Sequence, residues 1–140
     1  MSQEHITASA VEQARRSFEA ADSGDYEWML SFYGPESVFD MAPWGLGTYV
    51  GLSAIRSFFE DWIGAFEEFS MRADEVVDLG QDVVFAVATQ VARSAGSPGP
   101  MRLQHAAVSV WEGGVITRVV NYPDIDAARA TAEQLAASRR

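Results

Sequence analysis

A two-residue turn signal between two β-rich runs constrains the fold of this chain more than any other feature. Residues 101–124 read MRLQHAAVSVWEGGVITRVVNYPD, and the pair Gly113-Gly114 separates two stretches of strand-forming residues. Tandem glycines suit a tight hairpin turn, because both central residues of the favoured turn need positive φ. The sequence therefore predicts two antiparallel strands, Met101–Glu112 and Val115–Tyr122.

Counting outward from the glycines predicts how the two strands pair. The predicted pairs are Trp111 with Ile116, Ala107 with Val120, and His105 with Tyr122. Because side chains alternate across a strand, each face carries every second residue. One face is predicted to carry Leu103, His105, Ala107, Ser109 and Trp111 together with Ile116, Arg118, Val120, Tyr122 and Asp124. An imidazole, a phenol and a carboxylate then meet at the open end of that face.

The length and composition of the chain indicate one globular domain over residues 1–140. We expect a core of about 8–124 and a C-terminal helix over 125–137. The hydrophobic fraction of 48% is enough to fill one core. A net charge of −10 repels phosphate backbones and anionic lipid surfaces, so neither nucleic acid nor a membrane is an expected partner. The chain has no cysteine, which excludes disulfides and thiol chemistry.

The first seven residues, MSQEHIT, contain neither a basic region nor an apolar run, so they do not resemble a signal peptide. No apolar stretch approaches the roughly 20 residues that a membrane span needs. We therefore expect a cytoplasmic protein.

Apolar spacing and breaker residues predict the other elements. The predicted helices are 11–21, ending at Ser23-Gly24; 26–33, capped by Asp25 and stopped by Gly34-Pro35; an aromatic helix capped by Ser53 and running from Ile55 to Phe69; and one starting near Ile125. The other predicted strands are 37–41, 71–79 and Val83–Arg93, and short connectors predict an antiparallel meander from residue 71 to residue 122. Residues 42–51 form a glycine-rich loop whose Trp44 either covers a pocket mouth or plugs the core.

Strand Val83–Arg93 is apolar on both alternating faces, which predicts cover on both sides. The aromatic helix is one expected cover. A second copy of the sheet is the other, which predicts a homodimer.

The order of elements and four segments resemble a known superfamily. The segments are AADSGD at 20–25, SVFD at 37–40, GLSAIRSFF at 51–59 and GGVITRVVNYPD at 113–124. They resemble the nuclear transport factor two-like superfamily, particularly the SnoaL-like polyketide cyclases and the ketosteroid isomerases. The resemblance implies an α+β, cystatin-like α+β barrel: a cone-shaped, strongly curved antiparallel sheet, covered by N-terminal helices, around an apolar pocket. Most members are dimers, and their functions range from isomerases to plain binding proteins.

Carrying family residues over gives a mixed result. The isomerase phenol falls at Ser17, and the isomerases' second oxyanion donor falls near Ala107. The isomerase general base falls at Met41, one residue after Asp40, and a one-residue slip in a strand reverses the face. The acid/base Asp of the cyclases matches Asp124.

Three residues are therefore candidates for acid/base chemistry, each with a structural alternative. Asp124 is either a proton shuttle in an apolar pocket or the N-cap of the last helix. His105 is either an acid, base or electrophile, or a polar side chain bonded to Tyr122 or water. Asp40 either enters the pocket or points away from it. Asn121 is predicted to lie on the face opposite His105.

Five further residues are candidates for substrate binding, with an ordinary core role as the alternative for each. They are Tyr122, Trp44, Phe58, Phe59 and Trp62. No His-carboxylate spacing typical of a metal site is present, and no cofactor motif occurs, so neither a metal nor a cofactor is predicted.

Two functions fit these observations. The first is a cofactor-independent isomerase or cyclase that moves a proton on a hydrophobic carbonyl compound in an enclosed pocket. The second is a non-catalytic protein of the same fold that binds a small molecule or serves as a dimerisation module.

Overall fold

The computed structural model describes residues 9–140, and residues 1–8, on which the signal-peptide expectation rests, lie outside the described residues. Within 9–140 the elements are α1 (Ala10–Ser23), α2 (Tyr26–Leu30), β1 (Tyr33–Asp40), a 3₁₀ helix (Ala42–Trp44), β2 (Thr48–Val50), α3 (Leu52–Gly64), β3 (Glu68–Gly80), β4 (Val83–Arg93), β5 (Met101–Glu112), β6 (Val115–Tyr122) and α4 (Ile125–Ser138). None of the described helices is both long and apolar enough to cross a membrane.

The N-terminal helices follow local capping signals at their starts. Ser9 and Glu12 form a reciprocal capping box at the start of α1, and the Asp25 side chain accepts from the Trp28 amide at the start of α2. The predicted end of α1 at Gly24 is confirmed. The predicted length of α2 is wrong, because the chain enters β1 at Tyr33. Strand pairing with β6 outweighs the local helical pattern there.

Helix α3 both begins and ends earlier than predicted, at Leu52 and Gly64. Its N-cap is Gly51 and not Ser53, and no side chain caps it. It ends at Gly64, so the aromatic periodicity that continues to Phe69 passes out of the helix. Phe69 instead pairs with Ala92 in the β3–β4 ladder. A run of aromatic residues thus covers one surface while the backbone changes from helix to strand.

Six strands form one curved sheet in the order β2-β1-β6-β5-β4-β3. The predicted antiparallel meander over β3 to β6 is confirmed. One pair, β1 with β6, is parallel, so the sheet is antiparallel in all but one of its pairs. The α+β class with a curved sheet covered by helices is confirmed.

A bulge in β6 changes the predicted pairing of the hairpin. The two-residue turn at Gly113-Gly114 is confirmed, with φ of 60° and 82°, and Trp111 pairs with Ile116 as predicted. Val110, however, pairs with Arg118, so Thr117 is an extra residue on β6. The pairs beyond it are Ala107 with Asn121 and Ala106 with Tyr122, so the predicted partners Val120 and Tyr122 are wrong. The extra residue reverses which β6 side chains share a face with His105.

Each face of the sheet is covered by helices of the same chain. The core on one side joins Val84 and Ala88 of β4 to residues of α1 and α3. The core on the other side joins Val83, Phe85, Val87, Ala106 and Val108 to Ala128, Ala132 and Ala136 of α4. The expectation that a second copy covers this face is therefore wrong, because α4 covers it. The homodimer stays a prediction without that support.

Candidate functional site

An aromatic cavity of about 90 Å³ lies between the concave side of the sheet and helices α1 and α3. Nine of its 24 lining residues are aromatic, including the predicted ligand contacts Trp44, Phe58, Phe59 and Trp62. Among residues 9–140, no Asp, Glu, Lys or Arg lines this cavity. Its chemistry therefore depends on apolar surface and on a few neutral polar groups.

The imidazole of His105 projects from β5 into this cavity. It is 6% exposed, and burial lowers the pKa of His105 to about 4. The ring is therefore neutral at neutral pH. Its Nδ1 atom is buried and has no hydrogen-bond partner in the part of the chain that the structure describes. The structure thus leaves one nitrogen of a neutral imidazole free to meet a ligand.

Trp44 reaches the cavity from the 3₁₀ helix that follows β1. Its ring lies edge-on to the ring of His105, with centroids 6.4 Å apart. The indole Nε1 is buried without an acceptor. The two other indoles in the cavity wall differ, since Trp62 donates to Gln90 (3.0 Å) and Trp111 donates to Ser109 (2.9 Å). Trp44 alone among these three presents an unused N–H donor.

Asn121 lines the cavity because of the β6 bulge, and the prediction that it lies opposite His105 is wrong. It is 6% exposed, and its amide Nδ2 has no partner. Asn121 pairs with Ala107, the residue two positions after His105 on the same face of β5, so the two polar side chains are diagonal neighbours. Asparagine is depleted in strands, and a lone Asn within a run of Val and Tyr was the available signal of a functional position.

Trp44, His105 and Asn121 form what we name the polar triad. Within residues 9–140, the fully buried side-chain nitrogens or oxygens that lack a partner are one atom from each of these three residues. Buried polar groups in folded proteins are nearly always hydrogen-bonded, and each exception needs an explanation. Two of the three atoms are obligatory donors, the indole and amide nitrogens. Such donors suit a ligand that carries a hydrogen-bond acceptor.

Two other polar residues of the wall, Ser17 and Tyr33, lie outside the polar triad. Ser17, at the position of the isomerase phenol, donates its hydroxyl to the Ala14 carbonyl at 2.7 Å. Tyr33 keeps its proton, because burial raises the pKa of this phenol. Ser17 therefore does not supply to the cavity the donor that the isomerase phenol supplies at this position.

Three predicted site residues lie outside the cavity. Asp124 is exposed and caps α4 by accepting from the Ala127 amide at 3.0 Å. Tyr122 packs into the core beneath α4 on the opposite face of the sheet. Asp40 is buried but faces away from the cavity, and it bonds to Arg118. The expected meeting of Asp124 and Tyr122 with His105 is therefore wrong, because the bulge and the helix cap direct both away.

Comparisons with known proteins agree with this architecture. The family model described as SnoaL-like domain matches residues 14–119. No curated protein matches the chain. Three solved structures illustrate the shared fold, each at identity low enough to show the fold alone.

The first is TerC co-crystallised with polyporic acid, with 21% identity, a TM-score of 0.69, and coverage of 89% of this chain and 98% of that one. The second is a hypothetical protein with a ketosteroid isomerase-like fold from Catenulispora acidiphila in complex with trimethylamine, with 16% identity, a TM-score of 0.69, and coverage of 86% and 92%. The third is an uncharacterized cystatin fold protein from Novosphingobium aromaticivorans, with 18% identity, a TM-score of 0.69, and coverage of 82% and 98%.

Proposed function

The chain belongs to the SnoaL-like domain family, and from that premise we propose that it is a cofactor-independent acid/base enzyme of the isomerase or cyclase type. Its substrate is a neutral, hydrophobic, carbonyl-containing small molecule bound in the aromatic cavity. The family includes both reaction types on one fold, so the site and not the fold must carry this proposal.

The observation that carries it is the polar triad, whose three residues line one aromatic cavity and each hold one buried, unpaired polar atom. A carbonyl oxygen placed between the indole N–H of Trp44 and the amide N–H of Asn121 would accept from both. Such donors favour the negative charge that develops on that oxygen when a proton leaves the adjacent carbon. The same donors have no acceptor among residues 9–140, which favours one orientation of the ligand.

His105 is the proposed acid/base residue, whereas the sequence indicates His105, Asp40 and Asp124 as candidates for this role. A neutral imidazole accepts a proton from the carbon next to the carbonyl and returns it at a second position, or holds it while a new carbon–carbon bond forms. Burial lowers the pKa of His105 to about 4, which makes it a weak base. The negative charge that develops on the neighbouring oxygen favours the imidazolium, so the basicity of His105 rises as the reaction proceeds.

The wall also limits the substrate. No charged side chain among residues 9–140 lines the cavity to neutralise an ionic ligand, so a neutral ligand fits best. A cavity of about 90 Å³ is smaller than the ~150 Å³ cavity that holds benzene in an engineered protein. A ligand the size of benzene or larger therefore enters only if the wall moves outward.

A non-catalytic binding protein of the same fold is the second candidate. It is favoured by the absence of a carboxylate from the cavity wall within residues 9–140. In that case the polar triad recognises a carbonyl group and no proton moves.

A two-stage experiment separates these functions. Thermal-shift measurements with acetophenone, indanone and related ketones identify a ligand that stabilises the wild type. That ketone is then incubated in D₂O with protein, and NMR follows deuterium entering the carbon next to the carbonyl. We expect exchange that falls at least ~100-fold in His105→Gln while ketone binding persists.

Asp124→Asn is the control, since this carboxylate lies outside the cavity, and its exchange rate should equal that of the wild type. Binding without exchange would favour the second candidate. If no ketone stabilises the wild type, the small-molecule proposal fails.

A further inference from the structure

The carboxylate of Asp40 bonds to both ends of the segment that carries Trp44. Its Oδ1 accepts from the Ala42 amide at 2.8 Å and from the Thr48 hydroxyl at 3.1 Å. Its Oδ2 accepts from the guanidinium of Arg118 at 2.6 Å. We name this set of four residues the Asp40 anchor. One buried side chain thereby fixes the two ends of residues 42–48 to strand β6.

Strand alternation explains why Asp40 does this and does not enter the cavity. Its neighbours Phe39 and Met41 both line the cavity, so Asp40 faces the other side of the sheet. It is nevertheless only 8% exposed. A buried carboxylate is expensive unless its oxygens are bonded, and here both oxygens have donors. The surrounding structure is therefore built to hold this group in place.

The position of Trp44 depends on its backbone, because its own polar atom is not restrained. The indole Nε1 has no hydrogen-bond partner among residues 9–140. Gly45 and Gly47, which adopt φ of 76° and 98°, make the segment intrinsically permissive. Backbone bonds from Met41 to Gly47 (2.8 Å) and from Trp44 to Met41 (2.9 Å) close the turn. The Asp40 anchor adds the side-chain bonds that join this turn to the sheet.

From these contacts we infer that Asp40 is a positioning residue, which holds the indole N–H of Trp44 at the cavity wall, and not a catalytic acid or base. The placement of Trp44 stands on the contacts alone. Its consequence for ligand affinity rests on the proposed function, because it takes the Trp44 indole as a donor to the bound carbonyl.

The test follows the indole N–H signals of the full-length ¹⁵N-labelled chain by NMR. The signal of Trp44 is assigned by its loss in Trp44→Phe. In Asp40→Asn, which loses the charge and one acceptor oxygen, we expect the Trp44 signal to shift and its solvent exchange to accelerate about tenfold. The signals of Trp62 and Trp111, whose indoles are bonded elsewhere, should stay unchanged.

Two variants of Thr48 test the same contact while the Asp40 carboxylate stays in place. Thr48→Val keeps the shape but removes the hydroxyl donor, and it should displace the Trp44 signal in the same direction as Asp40→Asn. Thr48→Ser restores a hydroxyl and should restore the wild-type signal. Glu75→Gln is the matched control, because it removes a carboxylate that bonds to Arg129 (2.9 Å) and does not line the cavity. If Asp40→Asn does not fold, the Thr48 pair decides.

The ligand arm uses acetophenone. We expect its dissociation constant to rise about tenfold in Asp40→Asn, as it should in Trp44→Phe, and to stay at the wild-type value in Glu75→Gln. An unchanged Trp44 signal in both Asp40→Asn and Thr48→Val overturns the positioning role, even if acetophenone binds. A displaced Trp44 signal together with no acetophenone binding to the wild type supports the positioning role and overturns the proposed function.

Discussion

The indole ring of Trp44 meets the imidazole of His105 edge-on, with planes inclined at 69°. This contact places an aromatic ring against the imidazole and helps to exclude water from it. Burial is the physical cause that lowers the pKa of His105 to about 4. The packing of the cavity wall against His105 therefore affects a measurable quantity, the pH dependence of the free energy of unfolding.

Wild-type stability should fall as the pH drops from about 7 to about 5 because of His105. The pKa of His105 is lower in the folded state (about 4) than its ordinary value of 6.5, so the unfolded chain binds the proton first. The contribution of the neutral ring is complete above pH ~6.5 and is lost as the pH falls toward ~4. Between pH ~7 and pH ~5 we expect the free energy of unfolding to fall by about 2 kcal/mol, measured by urea titration at each pH.

His105→Gln supplies the control for this pH dependence. The variant has no titrating group at this position, so the His105 contribution to the pH dependence should disappear, leaving only that of the other titratable groups. Equal slopes for wild type and variant between pH ~7 and ~5 would show that His105 titrates normally.

Asn121→Leu should stabilise the protein and weaken its binding of ketones. Leucine has a similar size, and it replaces an amide whose Nδ2 is buried without a partner. Removing an unsatisfied buried group should raise the free energy of unfolding by about 1–2 kcal/mol. Thermal unfolding with and without acetophenone measures both effects. A variant that is less stable than the wild type would mean that the Asn121 amide is satisfied in solution.

The sequence was sufficient to predict the elements whose signals are local. Strands β4, β5 and β6 begin and end at the predicted residues, because tandem glycines and short polar connectors mark their ends. The wall residues Phe58, Phe59 and Trp62 also follow from helical spacing alone. Such features depend on neighbours within a few positions along the chain.

Features that depend on tertiary pairing could not be predicted. The extra residue Thr117 leaves no compositional signal, yet it decides that Asn121 and not Tyr122 shares the cavity with His105. Helix α2 gives way to β1 only because β6 is present to pair with it. Counting residues along a strand therefore assigns side chains to the correct face up to the first bulge and to the wrong face after it.

Asp124→Ala should cost stability without affecting the cavity. The Asp124 carboxylate accepts from the Ala127 amide at the start of α4, and loss of such an N-cap typically costs about 1 kcal/mol. Urea titration measures this loss. Acetophenone affinity and deuterium exchange, measured well below the unfolding midpoint, should match the wild type. A folded variant that binds acetophenone but has lost exchange would restore Asp124 as the catalytic base.

Ala132→Asp should strongly destabilise the chain, because Ala132 is fully buried where α4 meets the sheet. A carboxylate there would lie against the apolar cluster that includes Phe85, without a partner for its charge. We expect a loss of at least ~3 kcal/mol in the free energy of unfolding, measured by urea titration. Ala137→Asp places the same group on the exposed side of the same helix and should cost less than ~1 kcal/mol. Similar losses for the two variants would contradict the packing of α4 on this face, and the second copy of the chain would again be needed to cover it.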